Sequence, residues 1–341
     1  MQQYLPYIKL LLLTTLILAL TGCNASATLT SLEPTQVPMP TQTSLPTQAP
    51  EPTATTEPTL MPTPTEVVPI PCSIVFETNR DGNWEVYSMA ADGSTLLNLS
   101  NNPADDFAPV WSPDGSQVAF VSNRENGAEG GQFIYIMNAD GSAVRQLSLE
   151  NESKWPDWSH DGTKITYTHQ GDIYVIYADG SSPAVNITNS AQEEIRSVFS
   201  PDNNQLLWLS GTNGNWDLVI ANIDGSNPTQ VTFDAKVTGA TWSVDGRIFL
   251  HWDNREAGCF NCIMNADGSN VADAGGKGTI QEFLPFWDQD GNRVECVSID
   301  LDGNDEIYLI GEMYPDIFYN LTNHPSADRN PDWPYACILG R

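Results

Sequence analysis

Seven carboxylates stand at one recurring place in this chain. Asp105, Asp106, Glu152, Glu193, Glu194, Glu282 and Asp328 each precede an aromatic residue by five or six positions, and only Lys236 breaks the rule. Arginines recur too, at Arg80, Arg124 and Arg255, each followed by an acid: Asp81, Glu125 and Glu256. Carboxylates gathered at one mouth would hold a divalent cation or a basic ligand, and would repel one another unless neutralised; the other reading is that each caps a turn or pairs with a neighbouring blade's arginine for geometry alone. Calcium is the cation such oxygens suit, and nothing in the chain calls for another cofactor. The Asp-rich stretch Asp300-Leu-Asp302-Gly303 does not form an EF-type loop, because its first and twelfth positions would be Ser298 and Leu309. The four histidines, His160, His169, His251 and His324, lack the H-E-x-x-H spacing, and no G-x-S-x-G nucleophile elbow is present. His251 and Asp253 alternate on one segment and come nearest to a catalytic pair, but no residue is assigned to catalysis.

The aromatics that set this register are Trp111, Trp158, Phe199, Trp242, Trp287 and Trp333, spaced 47, 41, 43, 45 and 46 residues apart. The phrase around them reads W-S-P-D-G at 111–115 and W-S-V-D-G at 242–246, and is cut short as W-P-Y-A-C at 333–337. That period is one four-stranded propeller blade. After each phrase (strand A) comes a β-type run (strand B): Gln117–Ser122, Lys164–Thr168, Gln205–Ser210, Ile248–Trp252 and Arg293–Ile299. A third run then ends in an Asp-Gly turn, as at Asp140-Gly141 and Asp179-Gly180, and a short fourth run closes the unit. The first unit lacks a strand A and the last phrase, Asn330–Ala336, lacks a strand B, so pairing the chain's two ends completes a sixth blade. The expected fold is all-β, a six-bladed propeller of four-stranded antiparallel blades, closed by C-terminal and N-terminal strands. In it the D–A connections, which carry the acids, ring one mouth of the channel. The B–C turns with the arginines, Trp84 and Trp216 emerge on the same face, where those tryptophans would stack on a ligand or pack against the next blade.

Register also brings Cys72 and Cys337 to the two sides of that closure, where a disulfide would staple the ring. Cys296 aligns with Phe120 as a core thiol. Residues three apart on a regular strand face opposite sides, so a bridge within Cys259-Phe-Asn-Cys262 needs a bend; a single such pair is a poor zinc motif and no metal site is assigned.

Residues 1–22 read as a signal peptide, with Lys9 followed by the apolar run Leu10–Leu20, too short for an ordinary membrane span. Leu20-Thr21-Gly22-Cys23 resembles the lipobox of bacterial lipoproteins, which implies cleavage before Cys23 and its acylation. Residues 23–71 then form an acylated cysteine and a disordered stalk, because 24–71 contain no lysine or arginine and are dominated by Pro, Thr and Gln. The propeller occupies 72–341.

The run A-P-V-W-S-P-D-G-S-Q-V-A-F-V-S-N-R with F-I-Y-I-M-N-A-D-G-S-A-V-R-Q-L-S, within 108–148, is similar to the WD-like repeats of TolB-type propellers. The resemblance extends over nearly all of 73–336 and implies a binding scaffold, since fold alone does not fix function. With 43 acidic against 14 basic residues and a net charge of −29, nucleic acid is excluded as a partner. The resulting expectation is an extracytoplasmic monomer, held to a bacterial membrane through Cys23, that recognises an envelope protein, peptide or glycan on its loop face. The alternative is a metal-assisted polysaccharide lyase or hydrolase using the acidic mouth.

Overall fold

Runs such as Gln117–Ser122 are apolar at nearly every position because each middle strand of a blade is covered on both faces. In a computed structural model of the chain, the described residues are 72–124, 131–234, 236–254, 259–274, 286–287, 293–300, 304–311 and 318–334. The signal peptide, Cys23, the stalk, Arg255, Glu282 and Cys337 lie outside them. All regular structure described is β.

The first blade comprises β1 (Ser73–Thr78), β2 (Glu85–Ala90) and β3 (Leu97–Asn98). The second comprises β4 (Asp106–Trp111), β5 (Gln117–Ser122), β6 (Phe133–Asn138) and β7 (Arg145–Gln146). The third is β8 (Ser153–Trp158), β9 (Lys164–His169), β10 (Asp172–Tyr177) and β11 (Val185–Asn186). The fourth is β12 (Glu193–Phe199), β13 (Gln205–Thr212), β14 (Asn215–Asn222) and β15 (Thr229–Gln230). The fifth is β16 (Val237–Trp242), β17 (Ile248–Asn254), β18 (Cys259–Met264) and β19 (Ala272–Asp273). A further sheet pairs β20 (Phe286–Trp287), β21 (Arg293–Asp300), β22 (Asp305–Gly311) and β23 (Phe318–Asn320), and β24 (Asp328–Asp332) pairs antiparallel with β1. Six four-stranded sheets are therefore hydrogen-bonded.

The packing corrects the expectation of a closed six-bladed ring. Five sheets carry packed faces through the described residues, and in that sense the structure shows a five-bladed propeller. Counting aromatic phrases counts strands, whereas a blade also needs a covered face on each side. Of the side chains in the β20–β23 sheet, Ile307 and Tyr308 are described as buried, and Ile307 joins the cluster under the first blade.

Neighbouring blades share apolar clusters. Phe120, Tyr135 and Trp111 pack with Val75 and Val86, while Phe199, Leu206 and Trp208 pack with Ile173 and Val175. The inner strands β24, β4, β8, β12 and β16 lie against one another in turn. The Asp-Gly turns do more than reverse the chain. A Cβ on Gly141 (φ +82°) would sit 2.5 Å from the Leu99 carbonyl oxygen of the preceding blade, and one on Gly225 (φ +79°) 2.2 Å from that of Ile187. Glycine is demanded there by both backbone conformation and close approach.

Cys259 and Cys262 form a disulfide, with Cα atoms 5.6 Å apart. The bend it needs is supplied by a register shift between His251 and Asn254 on the paired strand β17. Cys72 is also disulfide-bonded.

Candidate functional site

The acidic register divides into two layers once the inner strands are in place. Five residues before the aromatic, the side chain turns inward: Asp106 and Asp328 have no exposed surface and Glu194 is 5% exposed. Six residues before it, the side chain turns out: Glu152 and Glu193 are exposed and Asp105 is half-buried, accepting the Trp84 backbone N–H at 3.0 Å. A strand alternates its faces at every residue, so neighbouring acids cannot belong to one ring. Glu282, the remaining member, lies outside the described residues.

The arginines neutralise the inward layer. Arg124 Nη2 lies 2.9 Å from Asp106 Oδ2, and Arg80 Nη2 lies 2.8 Å from Asp328 Oδ1. Each guanidinium also donates from Nε to a hydroxyl of its own blade, Ser122 at 2.9 Å or Thr78 at 3.1 Å. Each lies over two rings: Arg124 is 5.2 Å from Phe120 and 5.0 Å from Tyr135, and Arg80 is 5.6 Å from Phe76 and 5.1 Å from Tyr87. Burial raises the Asp106 pKa, opposed by the Ser122 hydroxyl and Arg124. Asp106, Asp328, Arg80 and Arg124 are thus paired with one another within their own blades.

A polar cleft of about 440 Å³ opens on the same loop face between the third and fourth blades. Glu152, Trp155, Asp172, Gln192 and Glu193 are among its walls. It sits where the B–C connection contracts to the two-residue turn Gln170-Gly171 (φ 50° and 82°), which leaves the wall low. Trp155, in its wall, adopts left-handed backbone at φ 51°, and so does Arg196 at φ 54°, whose guanidinium lies 5.6 Å from the Trp155 ring. Both stand at bulges in β8 and β12. Bulky residues there cost strain, which the bulged inner strands bear while re-aiming the side chains.

Residues 64–172 match the profile of the TolB beta propeller domain. Over those residues the chain is similar to TolB-type β-propellers. It is 30% identical over 151 residues to the TolB homolog of Chlorobium luteolum, an alignment covering 44% of this chain and 34% of that protein. Across the curated TolB homologs it matches, the chain spans between a quarter and about a third of their length. Among solved structures it resembles TolB from Acinetobacter baumannii, with a TM-score of 0.60, 15% identity, and coverage of 77% of this chain and 67% of that one. It also resembles hydrazine synthase of Kuenenia stuttgartiensis, with a TM-score of 0.57, 14% identity, and coverage of 84% and 51%. At such identities these structures show the fold alone.

Within this propeller, other expected site residues take structural places. Trp84 is half-buried under the Arg329 guanidinium at 5.2 Å, and Trp216 packs against the buried cluster of the fourth and fifth blades. His251 is buried with Nδ1 3.0 Å from Asn261 Oδ1; the Asp253 side chain lies outside the described residues. Among the described residues, no group of three or more His, Cys, Asp or Glu side chains is arranged to hold a metal, and no helix is long and apolar enough to cross a membrane.

Two sets of acids escaped notice in the sequence. Glu85, Asp172, Asp217 and Glu306 each stand just ahead of an apolar third strand and accept the hydroxyl of Ser100, Thr188, Thr232 or Thr322. The same hydroxyls accept the next backbone N–H, as Thr232 does from Leu218 at 2.8 Å. The second set is legible as Pro-Asp-Trp at 156–158 and 331–333. Asp157 Oδ2 accepts the Phe199 N–H at 3.4 Å and Asp332 Oδ2 accepts that of Trp111 at 2.6 Å, tying inner strands of adjacent blades together. Each keeps part of its surface exposed, yet burial pushes Asp157 up to about 8 and Asp332 up to about 7, with the Asp332 charge adding to the rise at Asp157.

A carboxyl whose pKa is higher folded than unfolded binds its proton more tightly in the native state. Its ionisation therefore lowers stability as pH climbs from the unfolded value of about 4 toward the folded one. Asp157→Asn should match the parent near pH 4 and gain on it progressively up to about 8, in denaturant unfolding followed across pH. A difference that does not change with pH would contradict the assignment.

Proposed function

We propose that this protein is a non-catalytic recognition module of the bacterial cell envelope, acylated at Cys23 and held off the membrane by the stalk of residues 24–71. The observation that carries the reading is the polar cleft between the third and fourth blades. The inward acids Asp106 and Asp328 are paired with arginines of their own blades, which leaves the outward layer, Glu152 and Glu193, with Trp155 beside them, to meet a ligand in the cleft. A propeller presents such loops on a rigid frame, which lowers the ordering cost of binding a protein, peptide or glycan. No cofactor takes part in this reading. Were calcium to bind at the mouth, Asp105, Glu152 and Glu193 are the acids left to meet it. Acylation on more than one chain gives a stable anchor where one would not.

Filling the cleft tests the reading. Ala191 lines it from an exposed loop, so Ala191→Trp should leave thermal unfolding close to the parent while abolishing capture of an envelope partner by the full-length protein. Equal capture by the two proteins would remove the cleft from the account. The anchor has its own test. Cys23→Ser should shift the protein from the membrane to the soluble fraction and eliminate incorporation of labelled palmitate, whereas unchanged fractionation would show that Cys23 does not hold it there.

A further inference from the structure

The first two blades show how this scaffold holds a guanidinium. A carboxylate heads the inner strand, a hydroxyl stands opposite it on the neighbouring strand, and an aromatic lies two residues before the hydroxyl: Asp328, Thr78 and Phe76 in one blade, Asp106, Ser122 and Phe120 in the other. The arginine itself follows two residues after the hydroxyl, as Arg80 and Arg124. The fourth blade repeats three of the four parts. Glu194 heads β12, Ser210 is its partner in register on β13, and Trp208 precedes Ser210 by two. Because side chains two apart on a strand share a face, the fourth part belongs at Thr212, and Thr212 carries no charge.

The third blade differs in kind. There the position of the acid is Ser153 and that of the arginine is Gly171, so carboxylate and cation are absent together. Only in the fourth, among the described blades, does the acid stand without its arginine. Its state reflects this. Glu194 is 5% exposed and its Oε2 has no hydrogen-bond partner; the Trp208 indole N–H, 2% exposed, has none either. Burial raises the Glu194 pKa, and the nearby Thr188 and Ser190 hydroxyls and the Trp208 indole only temper the rise. A buried carboxylate oxygen left this way is costly unless something completes it. Solvent reaches the site by way of exposed Thr212 and exposed Gln192, to whose Oε1 the Ser210 hydroxyl donates at 3.3 Å. Gln192 and Ser190 also line the cleft, and the Glu194 N–H binds the Gly171 carbonyl in its wall at 2.7 Å.

We infer that the fourth blade is a receptor site for a guanidinium supplied from outside the chain, an arginine side chain of a bound peptide or protein, taken by Glu194, Ser210 and Trp208 as Arg80 and Arg124 are taken within their own blades. The inference rests on the loop face being the binding face and narrows its partner to one that presents arginine. A net charge of −29 favours the approach of such a partner.

The test uses the full-length protein with argininamide as probe, followed by the chemical shift of the Trp208 indole N–H and by thermal unfolding. Argininamide should perturb that signal saturably, and Glu194→Gln should weaken it by about tenfold or more, the loss of one charged hydrogen bond. Thr212→Arg keeps the carboxylate and supplies the cation in place. It should raise Tm, block argininamide, and lose its gain in Tm when combined with Glu194→Gln. No saturable perturbation, or an equal one in parent and Thr212→Arg, would overturn the inference. Partner capture that is lost in Ala191→Trp but untouched by Thr212→Arg would overturn it too, while leaving the cleft as the binding place.

Discussion

A carboxylate cannot be buried between two blades without a partner, and the arrangement of the loop face follows from how each blade meets that constraint. Moving an ion into a packed interior costs several kcal/mol even after relaxation, and only good geometry with further hydrogen bonds returns it. Asp106 and Asp328 have that geometry: a guanidinium at 2.9 or 2.8 Å, braced by a hydroxyl and held over two rings. The inner strands are thereby fixed at their heads. At their tails Asp157 and Asp332 accept backbone N–H groups of the next inner strand. Bulges between head and tail carry Trp155, in the cleft wall, and Arg196, which lies over the Trp155 ring.

Much of this was legible in the chain. The runs read as second strands recur in the structure, with Gln117–Ser122 unchanged as β5 and Lys164–Thr168 extended by one residue as β9. The Asp-Gly turns fall at positive φ as their chemistry demands. The register of the acids was visible too, but its meaning was not. Residues five and six before the aromatic look interchangeable in a list and face opposite ways on a strand, so a supposed single ring separates into buried Asp106 and exposed Glu152. That the acids pair with arginines was one of the readings open in the sequence, but with a neighbouring blade's arginine; the pairs form within a blade, and Arg80 and Asp328, 248 positions apart, meet only when the chain's ends pair. The cleft borders the third blade's hairpin, which turns at Gln170-Gly171 directly after the strand, whereas the fourth blade's strands run on to a turn at Asn213-Gly214, a difference of length that periodicity smooths over. The blade count failed for a related reason: a repeat phrase marks a strand, and packing makes a blade.

A scaffold of near-identical blades gains specificity where one blade departs from the others. Here the departures cluster. The third blade loses both members of the ion pair and contracts its turn, the fourth keeps its acid without the arginine, and the cleft lies between those two. Similar propellers occur in proteins as different as TolB and hydrazine synthase. The fold alone therefore does not fix function.

The central claim is that the inward acids Asp106 and Asp328 are structural and are held by arginine, and a double-mutant cycle on Asp106 and Arg124 tests it most directly. Arg124→Met alone should cost about 3–5 kcal/mol in denaturant unfolding, because it strands a buried carboxylate. Asp106→Asn together with Arg124→Met should cost less than that single change, giving a coupling well beyond the ~0.5 kcal/mol within which independent sites add. Additive costs within that margin would show that the pair does not hold the blade, and the division of the acids into a structural layer and a binding layer would fall with it.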